Sequence, residues 1–65
     1  MRVYDLVLAL MNKYPEQFNN KPAAYINRSR LVDRVKILTG KEYSPETITR
    51  AQRQVWIERR KEVFI

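Results

Sequence analysis

The chain has 65 residues, with thirteen Lys or Arg against seven Asp or Glu, no His and no Cys. The missing Cys excludes disulfides, and the missing His removes the commonest general base and the commonest metal ligand together. A chain this short and basic, with net charge +6 and a sequence pI of about 10.1, reads as one binding domain over 1–65. It is expected to be no enzyme and to need no cofactor or metal, and its partner should be a polyanion or an acidic protein surface.

The first predicted element is a helix over about residues 2–14. Val3, Leu6, Val7, Leu10, Met11 and Tyr14 recur at helical spacing, and Pro15 follows its end. Tyr4, Leu8 and Ala9 lie off that stripe and widen the apolar face, so the helix should be more buried than a surface helix. Asp5 interrupts the apolar run and no small-residue cleavage site follows, so no targeting segment is expected. No stretch approaches the ~20 apolar residues of a membrane span. The expectation is a cytoplasmic protein with no membrane partner.

Residues 15–22 hold Pro, Glu, Gln, Asn and Lys around a lone Phe18, a composition that predicts a loop pinned to the core by that ring. Asn20 is placed to cap a helix beginning near Pro22, and Asn27 to interrupt it. The pattern leaves two alternatives open, a single helix over 22–39 or a turn followed by a helix over 28–39. In the firm part, Leu31, Val35 and Leu38 share a face with Val32 beside them, and Arg28, Arg30, Arg34 and Lys36 fall around the rest.

Gly40 is a helix-stop signal because it accepts the left-handed conformation after a helix end. Ser44 is a good N-cap, Pro45 suits the first helical position, and Glu46 sits at the positive end of the dipole. A last helix over 45–63 follows. Ile48, Ala51, Val55 and Trp56 form its inward stripe, with Val63 extending it, and Arg50, Arg53, Arg60 and Lys61 lie mostly on other faces. Ile57 and Phe64 fall near that basic side, and residues 63–65 have the composition of a short strand. The fold class expected is all-α, a small three-helix bundle.

Charge is uneven along the chain. Residues 1–22 carry three cations against two acids, and residues 23–65 carry ten against five. Two helices meet at a glycine, and the second is capped and basic, which is the arrangement of a helix-turn-helix. The segment Ser44-Pro45-Glu46-Thr47-Ile48-Thr49-Arg50 resembles the recognition-helix start of helix-turn-helix regulators, whose pattern there is Ser-x-x-Thr-Val/Ile-x-Arg. That resemblance implies that Ile48 plugs into the core while the polar residues around it face DNA. Thr49, Arg50 and Arg53 would then approach base edges, and Arg28, Arg30, Lys41, Ser44 and Thr47 would approach phosphates. Three residues, Lys41, Glu42 and Tyr43, separate the glycine from the serine, where the pattern has one. Longer turns occur in winged-helix relatives, and no wing is expected after the last helix. One module of this size has a small footprint, so a homodimer on two half-sites is expected.

With Lys13-Tyr14-Pro15-Glu16 earlier in the chain, the segment from Ser44 to Arg53 also looks like that of small uncharacterised bacteriophage proteins ending in a Glu-Thr-Ile-x-Arg-x-x-Arg-type helix. This implies a phage regulator or accessory factor acting in a host bacterium. It also implies that Gln52 stands where a basic contact is common. The alternative is a phage-encoded interaction module or inhibitor. It would bind an acidic host protein through the basic helix, with Trp56, Ile57 and Phe64 as the apolar anchor. A plain bundle with a solvated basic face is the third reading. No RNA-module signature appears, since the aromatics fall mostly at core spacings.

Overall fold

In a computed structural model of the chain, residues 2–63 are described, with side chains through Arg59. Among them the order is α1 (Val3–Lys13), α2 (Pro15–Phe18), α3 (Lys21–Ile26), α4 (Arg28–Thr39) and α5 (Pro45–Val63), with no strand. The fold is all-α. The three long helices fall where hydrophobic periodicity puts them. The segment between α1 and α4, expected to be partly loop, is instead two short helices. Pro15 starts α2 and Pro22 lies in the first turn of α3, positions where a missing N–H costs nothing. The open question over 22–27 resolves as a separate helix, because Asn27 leaves helical geometry at ψ 15° before α4 begins. Asn20 stands at the N-cap of α3, but its side chain makes no cap hydrogen bond.

The core draws on four helices. Val7, Leu10 and Met11 of α1, Phe18 of α2, Leu31 and Val35 of α4, and Ile48 and Val55 of α5 form one buried cluster. Each such side chain stabilises by roughly 1.5–3 kcal/mol on burial. Helix α1 packs along α5, and α4 packs on both. Tyr4 and Leu8 pack against the core as the widened face predicts, whereas Ala9 is exposed. Leu38 departs from its stripe and is 59% exposed. The buried set on α4 stops at Val35, so the last turn of α4 lies beyond the core.

Phe18 does pin its segment, at 1% exposure, and Tyr14 meets it edge-on at 6.0 Å. The last helix holds the same segment from its own side. Gln52 is buried, and its Nε2 donates to the Phe18 carbonyl at 2.7 Å. The Trp56 indole N–H donates to Asn19 Oδ1 at 3.0 Å and to the Asn19 carbonyl at 3.2 Å. Trp56 is therefore half-buried and oriented, where the periodicity alone put it fully in the inward stripe. Gln52 is a core polar residue, which corrects its reading as a vacant surface contact. Near the far end of α5, Arg59 donates to Asn12 Oδ1 of α1.

The turn between α4 and α5 is built as its residues dictate. Gly40 has φ 71°, and its N–H donates to the Lys36 carbonyl at 2.7 Å. Thr39 Oγ1 donates to the Val35 carbonyl at 2.7 Å and accepts the Lys41 N–H at 3.1 Å. Lys36 and Glu42 close an ion pair of 3.7 Å across the turn, and Tyr43 packs against the core. Ser44 Oγ then accepts the Thr47 N–H at 3.2 Å, capping α5. No heavy atom lies within 4 Å of a Cβ added at Gly40, so a side chain there meets backbone strain alone. Gly40→Ala is expected to cost about 1–2 kcal/mol in urea unfolding, with Gly40→Asn costing less. Val63 closes α5, which places it outside the expected strand. The expected positions of the Arg60, Lys61 and Val63 side chains, and of Phe64 and Ile65, lie outside the described residues.

Candidate nucleic-acid interface

The N-terminal half of α5 faces solvent on the side away from Ile48 and Val55. Ile48 is fully buried and turns the helix so that the residues after it fan outward. Arg50 and Arg53 are exposed there, and Thr49 is half-buried between them and the core. Arg28 opens α4 and reaches the same place from the neighbouring helix. Arg28, Thr49, Arg50 and Arg53 line one groove together with Pro45 and Glu46. Four of the eight sequence-predicted residues thus meet.

The other four do not join them. Arg30 lines a separate groove with Gln17, Asp33, Arg34 and Ile37. Lys41 sits exposed in the turn, its backbone N–H held by Thr39. Ser44 and Thr47 lie at the start of α5, where their hydroxyls bond each other at 2.8 Å and Ser44 serves as the cap. Their oxygen atoms are already engaged within the chain.

Charge in the groove is unbalanced. Arg28, Arg50 and Arg53 bring three positive charges against the single carboxylate of Glu46. Among the described residues, no carboxylate comes within 4.0 Å of these guanidiniums, whereas Arg2 with Asp5 and Lys36 with Glu42 are paired elsewhere. Two buried polar atoms of this groove's residues, Arg28 Nε and Thr49 Oγ1, have no hydrogen-bond partner. A buried polar group left unpaired costs about 1–3 kcal/mol. The Arg28 guanidinium is held over the Tyr25 ring, with Cζ 5.8 Å from the centroid.

The basic surface continues past the groove. Lys21, Tyr25, Arg53, Trp56 and Ile57 line an adjoining depression, so Arg53 belongs to both. The Lys21 ammonium lies 5.5 Å from the centre of the Trp56 ring. Cations from α3, α4 and α5 therefore alternate with Tyr25 and Trp56 along one side of the molecule. Sequence reasoning missed Lys21 and Tyr25. The signal lay in their neighbours, since Tyr25 precedes Arg28 by three residues and Lys21 opens the same short helix.

Compared with known protein families, curated proteins and solved structures, the chain matches none. Its residues and geometry are the basis for a functional reading.

Proposed function

We propose that this protein is a small helix-turn-helix DNA-binding protein in which α4 and α5 form the motif and α5 docks in the major groove. The observation that carries the reading is the gathering of Arg28, Thr49, Arg50 and Arg53 into one groove with no carboxylate paired to them among the described residues. Ile48, the residue that the pattern casts as the plug, is fully buried, and its polar neighbours line that groove. An α-helix fits the ~12 Å major groove, and unpaired guanidiniums along its first turns meet the duplex without first breaking an ion pair. A homodimer would place two copies of α5 about 34–36 Å apart on a palindromic site. The bacterial setting, phage origin and regulatory or accessory role rest on sequence resemblance alone, carried by residues 13–16 and 44–53.

A second reading is favoured by the adjoining depression. Ile57 is 48% exposed beside Tyr25, Trp56, Lys21 and Arg53, a mixture that suits an acidic protein helix with an apolar anchor. A salt titration of binding to random-sequence duplex DNA separates the two, run with size-exclusion chromatography on the same sample. The DNA reading expects binding near 50 mM salt that falls steeply on a log–log plot, with a slope of about −0.9 per phosphate contacted. No binding at that salt overturns it in favour of the protein partner.

A further inference from the structure

We propose that the groove between the start of α4 and the first turns of α5 is a phosphate-binding site, with Arg28, Thr49, Arg50 and Arg53 as its ligands. The assignment rests on the DNA-binding reading of the same surface and narrows it from base edges to a phosphate oxyanion. Three observations converge on that chemistry. The first is the charge, three guanidiniums against one carboxylate. A backbone phosphodiester carries about −1 and a phosphate monoester about −1.5 to −2, so either is matched by this excess. The second is that the cations come from two helices. Arg28 is anchored by Tyr25 on one wall, and Arg50 and Arg53 sit on the other. Planar guanidiniums converging from two sides suit a tetrahedral anion with acceptors in every direction.

The third observation is the pair of orphaned polar atoms. Arg28 Nε and Thr49 Oγ1 are buried and have no hydrogen-bond partner, although the Arg28 guanidinium is stacked on Tyr25 and the nearby helix start is capped by Ser44. A phosphate seated in the groove brings the acceptors that an Arg edge and a Thr hydroxyl lack. The Arg28 edge and the Thr49 hydroxyl turn toward it, exchanging an unpaired buried state for charge-assisted hydrogen bonds. Glu46 opposes the anion from the groove's edge and sets an upper limit on its affinity.

The test is a ¹H–¹⁵N NMR titration of the full chain with inorganic phosphate, at constant ionic strength against chloride. Saturable shifts are expected at the Thr49 amide and the Arg28 Nε–H, with little change at Arg30, which lines a different groove. Arg28→Lys keeps the charge but loses the planar fork, and Thr49→Val removes the hydroxyl. Each is expected to weaken phosphate binding about tenfold, as loss of a charge-assisted hydrogen bond does, while Arg30→Lys leaves it unchanged. Glu46→Gln should bind phosphate more tightly. Shifts spread evenly over all basic residues, or equal affinity in every variant, overturn the site.

Two further arms identify the source of the phosphate. A duplex oligonucleotide that displaces inorganic phosphate from the Thr49 and Arg28 signals makes the ligand a nucleic-acid backbone. A nucleoside diphosphate that displaces it where the duplex does not keeps the site and overturns the DNA reading. Duplex binding that leaves both signals unmoved overturns the site and keeps the DNA reading.

Discussion

Phe18→Ala is expected to leave most of the chain unfolded in buffer, read by circular dichroism and by loss of dispersion in the NMR spectrum. Phe18 is the largest fully buried side chain among the described residues, at 1% exposure, and truncating such a ring costs about 3–5 kcal/mol. A single core in a chain of this size rarely supplies more than about 3–5 kcal/mol in total, so the loss consumes the whole margin. Phe18 also fixes what surrounds it. Its ring meets Tyr14, and its carbonyl accepts Gln52 Nε2. Collapse of the site would strip Gln52 of its partner, turning a satisfied buried amide into an orphan. Phe18→Leu keeps most of the volume and should remain folded with a lower urea midpoint. A folded, fully dispersed Phe18→Ala spectrum would show that the core tolerates the cavity and that α2 is no anchor.

The long helices were readable because periodicity and end signals agree within each of them. Val7, Leu10 and Met11 mark α1, Leu31 and Val35 mark α4, and Ser44, Pro45 and Ile48 mark α5. The short helices were not, because four to six residues cannot display a period. Pro15 reads as a loop residue by composition, and only the packed chain shows it starting a helical turn, whereas the helix start expected near Pro22 is found with Pro22 in its first turn. Gln52 illustrates a different limit. Its spacing from Ile48 and Val55 places it on the inner face, but an amide is not counted among core candidates. Its burial depends on a carbonyl 34 residues away. Leu38 fails in the opposite sense, apolar and on register yet past the end of the core.

The candidate site was half legible for the same reason. Thr49, Arg50 and Arg53 lie within one helical turn or so, and local spacing suffices to group them. Arg28 joins them only because α4 packs against α5, which charge composition cannot express. Arg30, expected beside Arg28 on the phosphates, lines another groove, because two residues along a helix turn a side chain to a different face. Ser44 and Thr47 are suitable phosphate ligands by type. Their hydroxyls are taken up by the cap and by each other.

Arg50→Ala with Arg53→Ala is expected to weaken duplex binding while leaving helicity intact, since both side chains are exposed and make no ion pair among the described residues. If both guanidiniums meet the phosphate shared with Arg28, the loss is the same on every sequence tested, and the log–log salt slope becomes shallower by at most about 0.9, the value of one contact. If each instead pairs with a guanine edge, the loss is about 1–3 kcal/mol per residue and concentrates on one preferred sequence. The shared groove with Arg28 favours the first pattern, because one oxyanion answers both helices and a base edge reaches only one. The two are separated by running the salt titration on a selected site and on random duplex side by side. A loss confined to the selected site would move Arg50 and Arg53 to the bases and leave Arg28 and Thr49 with the phosphate. Unchanged affinity and slope in a folded double variant would remove Arg50 and Arg53, and with them the first turns of α5, from the interface.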